Sequence, residues 1–333
     1  MTTAQNGVRL PPLKMVDFIM RKSIRTYPMS QRHNLVKKAD FAKITAPDFS
    51  IRPFIESLPW QHAGKVLRKV VNSIIKARMA GRPVILGMGA HVVKCGLNPW
   101  LIKLLREKIL TGIALNGAGS IHDFELAAFG ETSEDVAKEL AEGRFGCVEE
   151  TGAWMSEAIE HAAKLETGMG RGIYEWMKSK AELFPEKETS LLWTCGELNV
   201  PLTVHVAIGT DFIHIHDKMN GASLGAASFT DFEIFCDQVE ELENGVYWNL
   251  GSAVILPEVF LKAVSRAHNL GNSLNGMTTI NMDMITQYRS ITNVVKRPSI
   301  GVGEGLNLTG HHEIMLPLVA MAVSEGIKDH ATF

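Results

Sequence analysis

The sequence predicts an α/β fold in which a doubly wound, mostly parallel sheet carries helices on both faces. Short and nearly continuous apolar runs alternate along the chain with amphipathic segments of helical period. Strands that are buried on both faces and joined by covering helices have this pattern. Five of the apolar runs also end in Gly, Ser, Thr, Asn or Asp. Because ligands of parallel sheets bind beyond the carboxyl ends of the strands, these residues are candidates for a binding site.

The main domain is predicted to open with an amphipathic helix. Val66, Val70, Ile74 and Ile75 share one helical face, and Gly81 ends the pattern. This helix precedes the first apolar run, so we expect it to cover the sheet.

The predicted strands follow in chain order. They cover 84–86, closed by Gly87 and Gly89; 113–115, closed by Asn116 and Gly117; 200–208, closed by Gly209 and Asp211; 246–249, closed by Gly251 and Ser252; and a run that finishes at Thr278, Thr279 and Asp283. One such end is typical of a tight turn, whereas five together favour a nucleotide or dinucleotide site. The G-x-G-x-x-G pattern is missing, so a conventional Rossmann dehydrogenase is not favoured.

A long insertion separates the second and third predicted strands. Segment 131–177 is predicted to form two or more helices with charged outer faces, and Thr132 or Ser133 is a natural N-cap for the first. We expect this insertion to cover the site or to make subunit contacts.

Composition limits the domain organisation and the partners. The 333 residues are 46% hydrophobic and 21% charged, with a formal net charge of −2, which suits one large domain or two small ones. Basic residues gather within 20–38, but acidic residues balance them farther along, which argues against nucleic acid as a partner. We interpret this basic cluster as a solvated arm or a subunit contact. We predict an N-terminal arm and subunit contact over 1–58 and the main domain over 59–333.

The cysteines and the N-terminus indicate a cytoplasmic protein. Cys95, Cys147, Cys195 and Cys236 lie far apart without a C-x-x-C pair, so reduced thiols are expected rather than a disulfide framework. The N-terminal stretch lacks an apolar signal core, and no apolar run approaches the length of a membrane span. We therefore expect no membrane partner.

The order of the strand-end motifs resembles the deoxyhypusine synthase family from about residue 60 onward. The matching segments are "WQHAGKVLRKVVNSI", "MGAHVVKCG", "LNGAGSIHD", "IGTDFIHIHD", "NLGSAVILPE" and "TTINMD". This resemblance implies a Rossmann-like NAD-binding domain of the deoxyhypusine synthase and sirtuin type, assembled as a homotetramer. It also implies an NAD-dependent transferase that moves an aminobutyl group from a polyamine such as spermidine.

The resemblance implies a cofactor-binding set in which Asp211 lies beside the nicotinamide ribose and Asp283 is a second aspartate. The whole set is Gly89, Ala90, His91, Asn116, Gly117, Ala118, Gly119, Asp211, Gly251, Ser252, Thr278 and Asp283. The segment "YRSITNVVKRPS" places Lys296 on the family's imine-forming catalytic lysine. Such a lysine condenses with the oxidised amine while NAD accepts and returns a hydride. A surface lysine beside an Arg-Pro turn has the same local sequence.

The sequence departs from the family pattern where the family contacts its substrate. Val294 and Val295 replace a tryptophan, Pro257 and Glu258 lie near the position of a proton-transfer histidine, and Ile121 and His122 replace paired glutamates. The acceptor therefore stays open, and a small amine would give a homospermidine-synthase-like reaction. Candidates for contact with the cationic amine are His216, Asp217, Glu258 and Glu313.

The histidines allow two further hypotheses. On an extended segment His214 and His216 would share a face and, with a carboxylate such as Asp211, could bind zinc in a metal-dependent hydrolase. No H-E-x-x-H signature accompanies them, so we predict no metal. His311 and His312 precede an apolar helix and could orient a ligand near its N-terminus. The third hypothesis is a nucleotide-binding module that has lost its chemistry.

Overall fold

The computed structural model describes residues 23–41 and 50–333. The remainder of the predicted arm, 1–22 and 42–49, lies outside the described residues. The strands are β1 Asn34–Lys37, β2 Val84–Met88, β3 Gly112–Asn116, β4 Glu131–Glu134, β5 Leu202–His205, β6 Val246–Leu250, β7 Thr278–Asp283 and β8 Glu304–Thr309.

Helices connect and cover these strands. They are α1 Arg52–Ser57, α2 His62–Met79, α3 His91–Lys94, α4 Asn98–Arg106, α5 Gly117–Phe129, α6 Val136–Ala141, α7 Glu149–Leu165, α8 Met169–Ser179, α9 Leu191–Leu198, α10 Gly221–Glu240, α11 Ile255–Asn269, α12 Tyr288–Ser290 and α13 His312–Lys328. A π-helical turn, Ile291–Lys296, continues α12, and a 3₁₀ turn, Phe212–Ile215, follows β5.

The six-stranded sheet confirms the predicted doubly wound parallel architecture. Its strands lie in the order β5-β3-β2-β6-β7-β8, and every neighbouring pair is parallel. Counted along the chain, these strands have the order 3-2-1-4-5-6, in which the first strand lies between the second and the fourth. The connections from β2 and β6 therefore leave in opposite directions, and a crevice forms between their carboxyl ends.

Both faces of the sheet are buried, which explains why the central strands are apolar. All five residues of β2 and of β6 are buried. On β6, Trp248 packs into the core that includes α2, α4 and α13, whereas Tyr247 packs into the core formed with α10 and α11. Tyr247 stacks on Phe260 of α11 with ring centroids 3.6 Å apart. Burial of such a large side chain stabilises the fold by about 1.5–3 kcal/mol.

The predicted opening helix is confirmed as α2. Val70, Ile74 and Ile75 are fully buried, and Val66 is partly buried against the same core. The helix ends before Gly81, whose φ of 68° lies in the left-handed region that glycine adopts without strain.

The insertion contains the predicted helices, but its predicted N-cap is wrong. Thr132 and Ser133 lie in β4, which pairs antiparallel with β1. Asp135 instead precedes α6 and accepts a hydrogen bond from the Lys138 amide at 3.3 Å. The pairing with β1 holds this segment extended for one strand before the helix begins.

The described part of the N-terminal arm packs on the main domain. Arg32 belongs to the basic cluster that we interpreted as a solvated arm or subunit contact, yet it is only 5% exposed. Its guanidinium donates to both carboxylate oxygens of Glu125, at 2.8 and 2.9 Å. For Arg32 the solvated interpretation is therefore wrong, because the charge forms an internal ion pair; the predicted subunit contact of the arm stays a prediction.

Within residues 23–41 and 50–333, no helix is both long enough and apolar enough to cross a membrane.

Candidate active site

The carboxyl ends of β2 and β6 meet through two glycines. A Cβ atom on Gly89 would lie 2.2 Å from the carbonyl oxygen of Gly251. Gly251 has a φ of 63°, in the left-handed region, and its amide donates to the Met282 carbonyl at 3.0 Å. Only glycine allows this approach of the two loops. The crevice between β2 and β6 is thus walled by backbone rather than by side chains.

His312 lies directly beside this crevice. It is the first residue of α13, it is 1% exposed, and a Cβ atom on Gly251 would lie 2.8 Å from its Nε2. Neither ring nitrogen has a hydrogen-bond partner among the described residues. A buried polar group without a partner costs about 1–3 kcal/mol. An imidazole kept in this state is suited to bond a ligand atom in the crevice.

Asp283 places a carboxylate next to this imidazole. It is the last residue of β7, and its Oδ1 lies 3.5 Å from His312 Nε2, just too long for a hydrogen bond. The same oxygen accepts from the Met284 amide at 2.7 Å. The carboxylate and the imidazole therefore face each other without a hydrogen bond between them.

His91 extends the polar group on the β2 side. Its ring packs edge-on to that of His312, with centroids 5.8 Å apart, and its Nε2 lies 3.4 Å from Cys95 Sγ. Burial lowers the pKa of His91, and the electrostatic effects of the neighbouring His312 and Lys94 act in the same direction. Burial also raises the pKa of the Cys95 thiol. A neutral imidazole and a protonated thiol are therefore expected here at neutral pH.

The structure brings half of the predicted cofactor set together at these strand ends. Ser252 is buried, and its Oγ accepts from the Leu256 amide at 3.2 Å in the first turn of α11. Ala90 is partly exposed at the start of α3. The residues at this edge are Gly89, Ala90, His91, Gly251, Ser252 and Asp283.

A second part of the predicted set lies at the N-terminus of α5, where an internal carboxylate already binds. Asn116 accepts from the Gly119 amide at 3.0 Å. Asp211 Oδ2 would lie 1.9 Å from a Cβ atom on Gly117, and the Ala118 amide also bonds Asp211. Burial raises the pKa of Asp211 to about 6 despite that bond. The anion-attracting end of α5 is therefore occupied by Asp211 in this structure, and the cofactor role of 116–119 stays a prediction.

A cavity of about 330 Å³ adjoins this carboxylate. Its walls include Lys94, Ala118, His122, Glu134, Thr210 and Asp211. It therefore lies on the β3 and β5 side of the sheet's carboxyl edge.

The predicted third strand over 200–208 is wrong. The metal hypothesis required His214 and His216 to share one face of an extended segment, and that segment does not form. Strand β5 ends at His205, and the chain then turns. His214 lies in the 3₁₀ turn, where its Nδ1 accepts from the amides of Gly209 and Asp211 at 3.0 and 3.2 Å. This ring closes the turn instead of facing out beside His216. Among the described residues, no group of three or more His, Cys, Asp or Glu side chains is arranged to hold a metal ion.

His216 and Asp217, two predicted substrate residues, follow the 3₁₀ turn on the β5 side of the sheet. The His216 ring is 2% exposed and packs on α7, with Cδ2 2.1 Å from the place of a Cβ atom on Gly152. Asp217 accepts from the Ser23 hydroxyl at 3.0 Å. Both follow β5, which forms the edge of the sheet opposite to β8.

Glu258 and Glu313, the other two predicted substrate residues, differ in whether the carboxylate is already bonded within the protein. Glu258 accepts from Lys262, Arg289 and Asn293, and the Lys262 bond is the main cause that lowers its pKa. Its charge is thus already balanced within the protein. Glu313 is exposed in the first turn of α13, and of the four it alone adjoins His312.

Thr278 and Lys296 lie away from the carboxyl edge. Thr278 begins β7, so it is at the opposite, amino edge, apart from the other predicted cofactor residues, and its cofactor role stays a prediction. Lys296 is exposed at the end of the π-helical turn. The carbonyl of the preceding residue, Val295, packs against Gly305 of β8, 1.9 Å from the place of a Cβ atom there. Gly305 lies four residues, or about 13 Å, before the carboxyl end of β8. Lys296 therefore does not reach the crevice of its own chain.

No protein-family model and no curated protein matches the chain. Solved structures do resemble it. One is AgrE in its ternary complex with ornithine and NAD+, at 15% identity and a TM-score of 0.48, covering 80% of this chain and 33% of AgrE. This chain thus spans about a third of the AgrE chain.

Two further structures resemble the chain. A conserved protein of Methanococcus maripaludis S2, provisionally assigned as LOR/SDH, has 14% identity and a TM-score of 0.48, covering 85% of this chain and 74% of its own. A protein of Entamoeba histolytica, provisionally assigned as a deoxyhypusine synthase, has 12% identity and a TM-score of 0.47, covering 86% and 96%. Likeness at this level does not decide the function.

Proposed function

We propose that this chain is an NAD-dependent enzyme and that the dinucleotide lies across the carboxyl ends of β2 and β6. The observation that carries the proposal is the contact between Gly89 and Gly251 beside the unpaired, buried imidazole of His312. Sheets with this strand order bind dinucleotides in the same crevice. Glycine at both positions lets the two loops and His312 approach one another closely at the strand ends.

Each residue of the site has a distinct role in this proposal. Bound NAD would supply the acceptance and return of a hydride. Gly89, Gly251 and Ser252 would line its site. His312 Nε2 accepts the proton of a substrate hydroxyl or amine, and the Asp283 carboxylate stabilises the imidazolium that forms. Glu313 is the exposed carboxylate that could attract a cationic amine.

Calorimetric titration with NAD and NADH tests the proposal. We expect the wild type to bind and Gly251→Ala to lose at least tenfold in affinity, because the added Cβ meets His312. Gly81→Ala is the matched control, since Gly81 has a similar φ of 68° but no atom within 4 Å of an added Cβ. The proposal fails if the wild type binds neither nucleotide, or if the two variants bind equally well.

A narrower hypothesis is aminobutyl transfer from a polyamine through an imine on Lys296. Its support is the order of sequence motifs, and the position of Lys296 means that the lysine would have to come from another subunit. Incubation with NAD and spermidine followed by borohydride would label Lys296 if the hypothesis holds. Absence of both an adduct and released diaminopropane would exclude it.

A homo-oligomer is part of the same proposal. Exposed apolar side chains surround the carboxyl edge of β6, β7 and β8, among them Val254, Ile285, Tyr288 and Ile314. Clusters of this kind favour a protein contact. Light scattering of Tyr288→Arg and the wild type would show whether this edge lies in a subunit contact, since the buried arginine charge should dissociate it.

A further inference from the structure

A row of three asparagines crosses the sheet directly below the candidate site. Asn249 of β6 pairs with Asn281 of β7, and Asn281 pairs with Asn307 of β8. Asn249 Nδ2 donates to Asn281 Oδ1 at 2.8 Å, and Asn281 Nδ2 donates to Asn307 Oδ1 at 2.8 Å. The three amides thus form one hydrogen-bonded chain at right angles to the strands.

This row is unusual for the inside of a parallel sheet. Strands that are buried on both faces ordinarily carry apolar side chains, yet Asn249 is 0% and Asn281 1% exposed. A buried amide is tolerated when it is hydrogen-bonded, and linked amides strengthen one another. Asn249 Oδ1 nevertheless has no partner among the described residues. Apolar side chains at these positions would therefore stabilise the fold more than the asparagine row does.

Both ends of the row lead to the candidate site. Asn249 Nδ2 also donates to the Ser252 carbonyl at 2.9 Å, and this carbonyl accepts from the Ser290 hydroxyl at 3.1 Å. At the other end Asn307 Nδ2 donates to the Thr309 hydroxyl at 3.3 Å. One end therefore holds the loop of Gly251, and the other holds the strand end that leads into His312.

We infer that Asn249, Asn281 and Asn307 are positioning residues that hold the Gly251 loop and His312 in mutual register. Asn281 is the central link, because it bonds both neighbours and lies two positions before Asp283 on β7. This role rests on the proposed function, since it is the dinucleotide crevice whose width the row would set. It predicts that breaking the row loosens both loops at once without unfolding the core.

Hydrogen exchange of the ligand-free protein, read by mass spectrometry, tests this role without assuming that NAD binds. We expect Asn281→Val to speed amide exchange at least tenfold within 250–256 and 309–313 and to leave the core helices unchanged. If Asn281→Val folds poorly, Asn281→Ser replaces it in the experiment. Its smaller side chain also breaks the row, so we expect the same exchange pattern. In both variants NAD affinity should fall at least tenfold.

Two control variants separate positioning from general stability. Thr279→Val changes the same face of β7 two positions earlier, where the buried hydroxyl has no partner among the described residues, so exchange and affinity should stay as in the wild type. Ile159→Ala opens a cavity in α7 and should speed exchange throughout the chain. The inference is overturned if Asn281→Val behaves like either control. Absence of NAD binding by the wild type would overturn the proposed function while the exchange result still decides the role of the row.

Discussion

His312 Nε2, at the start of α13, and Asp283 Oδ1, at the end of β7, face each other across 3.5 Å beside the glycines at the ends of β2 and β6. The imidazole is buried and has no hydrogen-bond partner in the part of the chain that the structure describes. A side chain kept in this state lowers the stability of the fold, which is common where a residue serves a ligand or a reaction.

Replacing His312 should therefore stabilise the protein while removing its activity. We expect His312→Leu to raise the free energy of unfolding by about 1–2 kcal/mol, because a buried imidazole without partners is lost. Urea unfolding measures this. His205→Leu is the control and should lose stability, since His205 is also buried but its Nε2 bonds the Thr203 hydroxyl at 2.9 Å. Equal destabilisation by both changes would contradict the account of His312.

Asp231 should make stability depend on pH. It is 1% exposed, and burial raises its pKa to about 8 although the amides of Val204 and Gly170 bond its carboxylate. The folded state then favours the protonated form, so its contribution is complete below the ordinary pKa of Asp and is lost as pH rises towards 8.

Unfolding in urea between pH 4 and 9 tests this expectation. Asp231→Asn should flatten the profile, whereas the wild type should lose up to about 1.4 kcal/mol for each pH step of one in that window. Glu233→Gln changes an exposed carboxylate on the same helix and should keep the wild-type profile. A wild-type profile in Asp231→Asn would argue against this role.

The ion pair between Arg32 and Glu125 should be a main anchor of the N-terminal arm. Both side chains are almost fully buried, and Glu125 also accepts from Thr151 at 2.9 Å. Arg32→Met leaves the carboxylate buried without its cation, which should cost about 3–5 kcal/mol. The surface pair of Lys38 with Glu186 provides the control, because Lys38→Met should cost less than about 1 kcal/mol. Similar losses in thermal unfolding would show that the arm is not anchored through Arg32.

The apolar runs made the central sheet predictable, but polar strands were missed. Strand β8 carries Glu304, Asn307 and Thr309, and β4 reads "ETSE". Neither has the continuous apolar pattern that identifies a strand buried on both faces. After β5, by contrast, strand was predicted where none forms. The apolar run continues to Ile208, but the strand ends at His205 and the chain then turns.

The glycines of the site were predictable because a close approach requires glycine at a strand end. The pairing of Gly251 with His312 was not, since the two residues come from different strand ends that only the sheet order brings together. Asp211 was predicted as a cofactor residue from its position, yet its carboxylate bonds the start of α5. No sequence pattern distinguishes a carboxylate that binds a ligand from one that caps a helix of its own chain.

An experimental structure of the protein with NAD tests the central claim most directly. The account predicts the dinucleotide across the ends of β2 and β6, with a ligand or substrate atom within about 3.2 Å of His312 Nε2. A dinucleotide bound at the cavity of Asp211 alone or at the amino edge near Thr278, or crystals grown in excess NAD that hold none, would contradict it.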